Sequence, residues 1–161
     1  MRAVVLGIGN TILSDEGLGV RVVEHLLRDY AFPEGVQCID GGTSGMELIE
    51  DLSNLDLLIV IDVIKAGVPK GQLIRIAGTD VPVFFRKKLS PHQIALPDVL
   101  ASLEFLGTAP KDIVVLGVEP ESLELGTELT AGVAACLPML TEAAVAELQQ
   151  RGVAVQPLQA R

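Results

Sequence analysis

Short apolar blocks rich in β-branched residues alternate along this chain with stretches whose apolar positions recur at helical spacing. The first block, residues 4–8, reads as a strand covered on both faces, because it carries no polar alternation. From Gly17 onward Leu18, Val22 and Leu26 fall on one helical stripe, which makes the opening unit strand, loop, helix. Residues 36–39 form a second strand, Asp40-Gly41-Gly42-Thr43-Ser44-Gly45 a loop, residues 46–52 a short helix, and residues 56–61 a third strand ended by Asp62. Pro69-Lys70-Gly71 is a turn into residues 72–76, an edge or antiparallel strand, since so short a connection cannot hold a crossover helix. Beyond His92, Leu96, Val99, Leu100, Leu103 and Leu106 share a helical face, with Pro97 either kinking the helix or marking its start. Residues 113–118 are another buried strand, and a last helix over 131–151 stops at Gly152. This order predicts an α/β fold: a twisted, mostly parallel sheet of about five strands sandwiched between helices, with residues 1–161 as a single domain.

Composition narrows the partners. With 49% hydrophobic residues in 161, the chain can bury a sizeable core and is not a disordered tail. Twenty-one acidic against twelve basic residues give a formal charge of -9, and no Lys/Arg cluster supplies the patch that a phosphate backbone requires, so nucleic acid is not an expected partner. Mean hydropathy is positive, yet the apolar runs are interrupted, by Asp62 in one case and by Gly132 and Pro138 in another, and no membrane insertion is expected. Arg2 precedes only a brief apolar stretch that runs into Gly9-Asn10 without a small-residue cleavage site; no signal peptide and a cytoplasmic location are expected. Cys38 and Cys136 belong to no C-x-x-C pair and read as small buried hydrophobes.

Candidate chemistry collects where α/β sheets bind ligands, in the crevice beyond the carboxyl ends of the parallel strands. Glu16 follows the first strand, Asp40 the second and Asp62 the third, and if these strands are parallel the three carboxylates project from neighbouring strand ends. His92, in Leu89-Ser90-Pro91-His92-Gln93, needs only a loop to reach them, and two carboxylates with one imidazole can hold a divalent ion. Each residue also has a structural reading: Glu16 as a complement to a helix N-terminus, Asp40 as an Asx-turn acceptor beside two glycines, Asp62 as a loop cap and His92 as a surface residue. The combination carries more weight than its members, because the chain has only two histidines and His25 sits inside the first helix.

Three other chemistries fail on the sequence. A G-x-G-x-x-G dinucleotide loop would continue Gly7 and Gly9 with glycine at position 12, which is Ile12, and the helix opens on Asp15-Glu16, which would repel a pyrophosphate. No Lys-Ser or Lys-Thr follows these glycines, so there is no Walker loop. A nucleophilic hydrolase is unsupported, since Ser90 lies in no G-x-S-x-G elbow and Cys38 falls within a strand. Metal chemistry or metal recognition remains.

Over most of its length the chain resembles the nickel-iron hydrogenase maturation endopeptidases. The resemblance rests on Gly7-Ile8-Gly9-Asn10, on Ser14-Asp15-Glu16-Gly17-Leu18-Gly19-Val20-Arg21, on Asp40 through Leu48, on Asp62, on Ser90-Pro91-His92-Gln93, and on Leu116-Gly117-Val118-Glu119-Pro120-Glu121-Ser122-Leu123, in that order. It implies that Glu16, Asp62 and His92 bind metal and that Asp40 is an acidic residue important for activity. It further implies a monomer that removes, by one endoproteolytic cut, the C-terminal extension of a hydrogenase large-subunit precursor whose nickel arrives with the substrate; zinc or another divalent ion could occupy the same ligands in vitro. A metal-dependent chaperone that recognises a nickel-loaded partner without cutting it would present identical ligands. Loops 65–70 and 119–128 are the expected places for partner choice.

Overall fold

The computed structural model describes residues 1–42, 44–87 and 95–158. In chain order the elements are β1 (Ala3–Ile8), a 3-10 turn (Ser14–Gly17), α1 (Leu18–Asp29), β2 (Tyr30–Ala31), β3 (Val36–Gly42), a second 3-10 turn (Met46–Leu48), α2 (Ile49–Leu52) and β4 (Leu57–Val63). They continue as β5 (Ile74–Ala77), α3 (Asp80–Lys87), α4 (Ala95–Leu106), β6 (Ile113–Val118), α5 (Ala131–Ala134), α6 (Leu137–Gln150) and β7 (Gln156–Pro157). The main sheet has the order β3-β1-β4-β6-β5. Its first four strands are parallel, and β5 pairs antiparallel with β6, as the short connection before it requires.

Two apolar layers sandwich this sheet. Ala3, Val5, Leu57, Ile59 and Ile61 point to one side, where Leu18, Val22 and Leu26 of α1 and Leu140, Ala144 and Leu148 of α6 meet them. Val4, Leu6, Leu58 and Val60 point to the other, against Leu52 of α2, Phe85 of α3 and Leu96, Val99 and Leu103 of α4. Every residue of β1 and β4 is buried, which accounts for the unbroken apolar reading of both. The run Ala131–Gln150 has the length and composition of a membrane span, but 50% of it is buried inside the fold, where α6 packs on α1 and β6.

Several boundaries differ from the sequence expectation, each for a reason of pairing. β4 continues through Asp62 to Val63 because β6 runs beside it, placing Gly117 opposite Asp62 and Val118 opposite Val63. β3 likewise extends through Asp40-Gly41-Gly42, expected as loop, since β1 offers partners as far as Ile8; the register slips by one residue there, a bulge at Gly41. The final helix breaks between α5 and α6, and Pro138 occupies the first turn of the restarted helix, where its missing N–H has no partner to lose. Pro97 falls in the first turn of α4 and so marks a start rather than a kink. Helix α3, with Val81 and Phe85 buried one turn apart, and the antiparallel β2–β7 ribbon add to the elements expected from the sequence.

Antiparallel β5 is secured by charge as well as by its ladder. Glu147 of α6 is buried and pairs with Arg75 of β5 and, at 2.8 Å, with Arg151, which in turn holds Asp112 just before β6. Burial would raise the Glu147 carboxyl, but the hydrogen bonds and charges of Arg75 and Arg151 outweigh it and leave the group below its ordinary value. Glu147→Gln is therefore expected to lower stability by about 1–3 kcal/mol at neutral pH, discounted from a fully buried pair because Arg75 is half exposed. A depressed carboxyl stabilises above its unfolded value near 4.5 and loses that contribution as pH falls through the folded value, so the gap between wild type and variant should close in acid. Urea denaturation at pH 7 and pH 3 measures it, and an equal gap at both would contradict the role assigned to this charge.

Candidate active site at the strand switch point

The chain leaves β1 to one side to build β3, then returns past it to build β4 on the other, so the direction of winding reverses at the carboxyl ends of β1 and β4. Glu16 and Asp62 both lie there. The 3-10 turn that carries Glu16 packs against β4, which carries Asp62, and both side chains are buried, at 3% and 0% exposure. The Glu16 amide donates to the Leu13 carbonyl at 3.1 Å, and Oδ1 of Asp62 accepts from the Val63 amide at 2.8 Å.

Missing side chains let the turn come this close. Gly9 has φ +127, and a Cβ there would stand 1.8 Å from the Glu16 carbonyl oxygen. At the first turn of α1 a Cβ on Gly19 would stand 2.3 Å from the carbonyl oxygen of Ile61 and 2.7 Å from the backbone of Ile8. Neither position admits alanine without moving backbone. Gly7, where a Cβ would stand 2.1 Å from the Gly19 carbonyl oxygen, and Gly9, the two that mimic a dinucleotide loop, thus serve close packing, and they bring a carboxylate, not a phosphate, to the crevice.

Asp40 is placed differently. It pairs with Gly7 in register, while Gly7 pairs on its other side with Ile61, so two strand spacings, about 10 Å, separate β3 from β4. Strand alternation sets Asp40 on the side of Val36 and Cys38, facing the α1 layer, and Asp62 on the side of Leu58 and Val60, facing the α4 layer. Asp40 is exposed. The structure therefore brings Glu16 and Asp62 into one neighbourhood and leaves Asp40 at the next strand end, leaving the sheet on the opposite face. His92, with Ser90, Pro91 and Gln93, lies outside the described residues, among which no three His, Cys, Asp or Glu side chains are grouped to hold a metal.

Sequence reasoning missed the residue that holds this region together. Asp15, fully buried, accepts at Oδ2 from the amides of Glu121 and Ser122 at 2.8 and 2.9 Å, and at Oδ1 from the amide of Thr130 at 2.8 Å. The Thr130 hydroxyl reaches both oxygens, at 3.1 and 3.0 Å. Around this carboxylate the Asp15 amide donates to the Ser122 carbonyl, Ser14 donates through its amide to Gly126 and through its hydroxyl to Glu124, and Gly126 donates to Ile12. Glu119 works the same way on the neighbouring loop, where its Oε1 accepts from the amides of Ala66, Gly67 and Val68, while Lys70 Nζ donates to the Pro120 carbonyl at 2.8 Å. The two loops expected to choose a partner are thus tied to each other, and one of them to the Glu16 turn.

The thiols offer no nucleophile. Burial pushes Cys38 up to about 12, and burial followed by the nearby Glu121 charge raises Cys136, so neither ionises near neutrality.

Comparison with known proteins identifies the family. The family model described as hydrogenase maturation protease matches residues 20–147. The chain belongs to the hydrogenase maturation protease family. It is 44% identical over 162 residues to the hydrogenase 2 maturation protease of Escherichia coli K12, covering 99% of this chain and 98% of that protein. Against the hydrogenase expression/formation protein HoxM of Azotobacter vinelandii the identity is 42% over 151 residues, 92% of this chain and 73% of the other. The solved structure of the E. coli hydrogenase maturating endopeptidase HybD superposes with a TM-score of 0.92 at 44% identity, covering 98% of both chains. HybD from Thermococcus kodakarensis, at 24% identity, shares the fold with a TM-score of 0.72 over 91% of this chain and 99% of that one. The expected fold class and family are borne out.

If Asp15 holds the 121–130 segment on the Glu16 turn, Asp15→Asn should cost about 2–4 kcal/mol, because an amide NH2 must then face backbone N–H donors in a site without water access. Thermal and urea unfolding measure the loss. A variant as stable as wild type would show that the hydrogen bonds are replaceable.

Proposed function

We propose that this chain is the endopeptidase that removes the C-terminal extension from the nickel-loaded large-subunit precursor of a nickel-iron hydrogenase. What supports the reading is the family membership together with two buried carboxylates, Glu16 and Asp62, at the crevice where an α/β sheet binds ligands. Oxygen donors of this kind fit a divalent ion, and His92 would complete a set of three protein ligands. When bound there, a metal supplies Lewis-acid polarisation of an oxygen and open positions for substrate groups. In this reading nickel enters as part of the substrate, and zinc or another divalent ion stands in for it in vitro.

The protein's own groups divide the remaining work. Glu16 and Asp62 are held by backbone contacts before any substrate arrives, so the recognition geometry is set in advance. Exposed Asp40, at the adjacent strand end, is within reach of a substrate chain laid across β3 and β1, where its carboxylate would orient the attacking water or accept its proton. With both thiols held protonated and no serine elbow in the chain, attack by water is the route consistent with these residues. The chain is taken to act as a cytoplasmic monomer without inserting into a membrane.

Mass spectrometry of a large-subunit precursor before and after incubation tests the cut and locates it. Alanine at Glu16, Asp62 or His92 should reduce processing at least about a hundredfold while leaving a folded protein, and normal processing by His92→Ala would remove it from the ligand set. Asp40→Asn should retain divalent-ion binding in calorimetry yet process poorly; equal loss of both would make Asp40 a ligand or a structural part of its loop. Nickel-free precursor should stay intact even when nickel is added to the protease alone. Equally fast cutting of loaded and unloaded precursor would leave a protease without a loading checkpoint.

A further inference from the structure

Beside the candidate site the structure exposes two large apolar side chains together. Leu13 and Gly126 form a parallel bridge, with Gly126 donating to the Ile12 carbonyl at 2.9 Å and Ser14 donating to the Gly126 carbonyl at 2.9 Å. That register sets Ile12 next to Leu125, about 5 Å apart between backbones. Ile12 is 51% exposed and Leu125 81% exposed, and of the large apolar side chains at the surface these two are the pair that the Leu13–Gly126 bridge sets side by side. The Leu13 carbonyl accepts from the Glu16 amide, so the pair sits one hydrogen-bonded turn from the proposed ligand.

The surroundings of the pair are acidic. Glu121, Glu124 and Glu128 are exposed on the same segment. Arg21, which donates to the Thr127 carbonyl at 3.3 Å, is itself paired with Glu24 at 3.1 Å and adds little positive charge. The segment is also rigid beneath its surface, because Asp15 and Ser14 fix its backbone at residues 121, 122, 124, 126 and 130. A preformed apolar pair in an acidic rim binds with little ordering cost.

We infer that Ile12 and Leu125 form a docking knob for an extended segment of the hydrogenase precursor that carries a large apolar side chain next to lysine or arginine. Charge complementarity favours a basic occupant, and the surface lies one hydrogen-bonded turn from Glu16, where the precursor's segment would have to come. The inference rests on the proposed function and specifies how that reading recognises its substrate. Removing the apolar pair should weaken binding more than chemistry, because neither residue touches the reacting atoms; reversing the acidic charges should weaken binding and abolish its dependence on salt.

The test measures processing of a nickel-loaded large-subunit precursor from the same cell by wild type, by the double variant Ile12→Ser with Leu125→Ser, and by Glu124→Lys with Glu128→Lys. The apolar double variant should raise KM about tenfold, the loss of the better part of one buried apolar side chain, with kcat within about twofold. Wild-type KM should rise between low and high salt, and the charge-reversed variant should start high and lose that rise. Calorimetry with zinc on all three proteins and their melting temperatures should coincide, because the altered side chains are exposed. If wild type cuts the precursor and the apolar variant keeps its KM, the docking surface is overturned and the protease reading stands. If wild type leaves the loaded precursor intact, the protease reading falls and the surface falls with it.

Discussion

A single buried carboxylate organises the face that carries Glu16 and Asp62. Asp15 draws together amides from residues 121, 122 and 130 onto a turn that begins at Ser14, and these groups are separated by more than a hundred positions in the chain. Backbone N–H groups in loops normally turn to water; here they converge on one anion out of its reach, and each such charge-assisted bond is stronger than a neutral one. The loop after β6 is therefore not a free connection. It is a wall of the crevice, fixed to the same turn that presents Glu16.

The glycine contacts explain why that turn can exist. At its first turn helix α1 meets the sheet through backbone as well as side chain: Gly19 sets its backbone against that of β1 and β4, and Gly9 turns the chain beneath the Glu16 carbonyl. Leu18, Val22 and Leu26 carry the side-chain packing along the whole helix. The close backbone contact at Gly19 brings the start of the helix up to the ends of β1 and β4. The carboxylates consequently sit on regular, buried elements rather than on a mobile lid, a precondition for holding a ligand set to within a fraction of an ångström.

Much of this was legible in the sequence because it is local. The apolar blocks around Val4, Ile59 and Val115, the stripe Leu18-Val22-Leu26 and the short turn before β5 each carry their signal within a few residues, and they yield the parallel sheet with its antiparallel edge. The neighbourhood of Glu16 and Asp62 followed from strand order alone. What escaped depends on partners far away in the chain. Nothing near Asp15 announces that its acceptors will be used by residues 121–130, and Glu119 gives no hint of the amides at 66–68. Asp40 was read as a loop residue beside Asp62, but the ladder with β1 extends the strand through it, and strand alternation then turns it to the other face. Position 92 was legible only as a motif, and it falls outside the described residues.

The small ribbon of β2 and β7 has a practical bearing. Gln156–Pro157 pairs with Tyr30–Ala31, and the Leu158 amide donates to the Asp29 carbonyl at 2.8 Å, which anchors the end of the described chain beside the last turn of α1. At the other end Arg2 donates to Asp56 and Ala3 to Gly35, below the amino ends of the strands. Both ends of the described chain thus lie at the floor of the sheet, the length of α1 from the crevice. An affinity handle or a surface tether attached at either one would leave the face that carries Glu16 and Asp62 pointing outward, open to a partner as bulky as another folded protein.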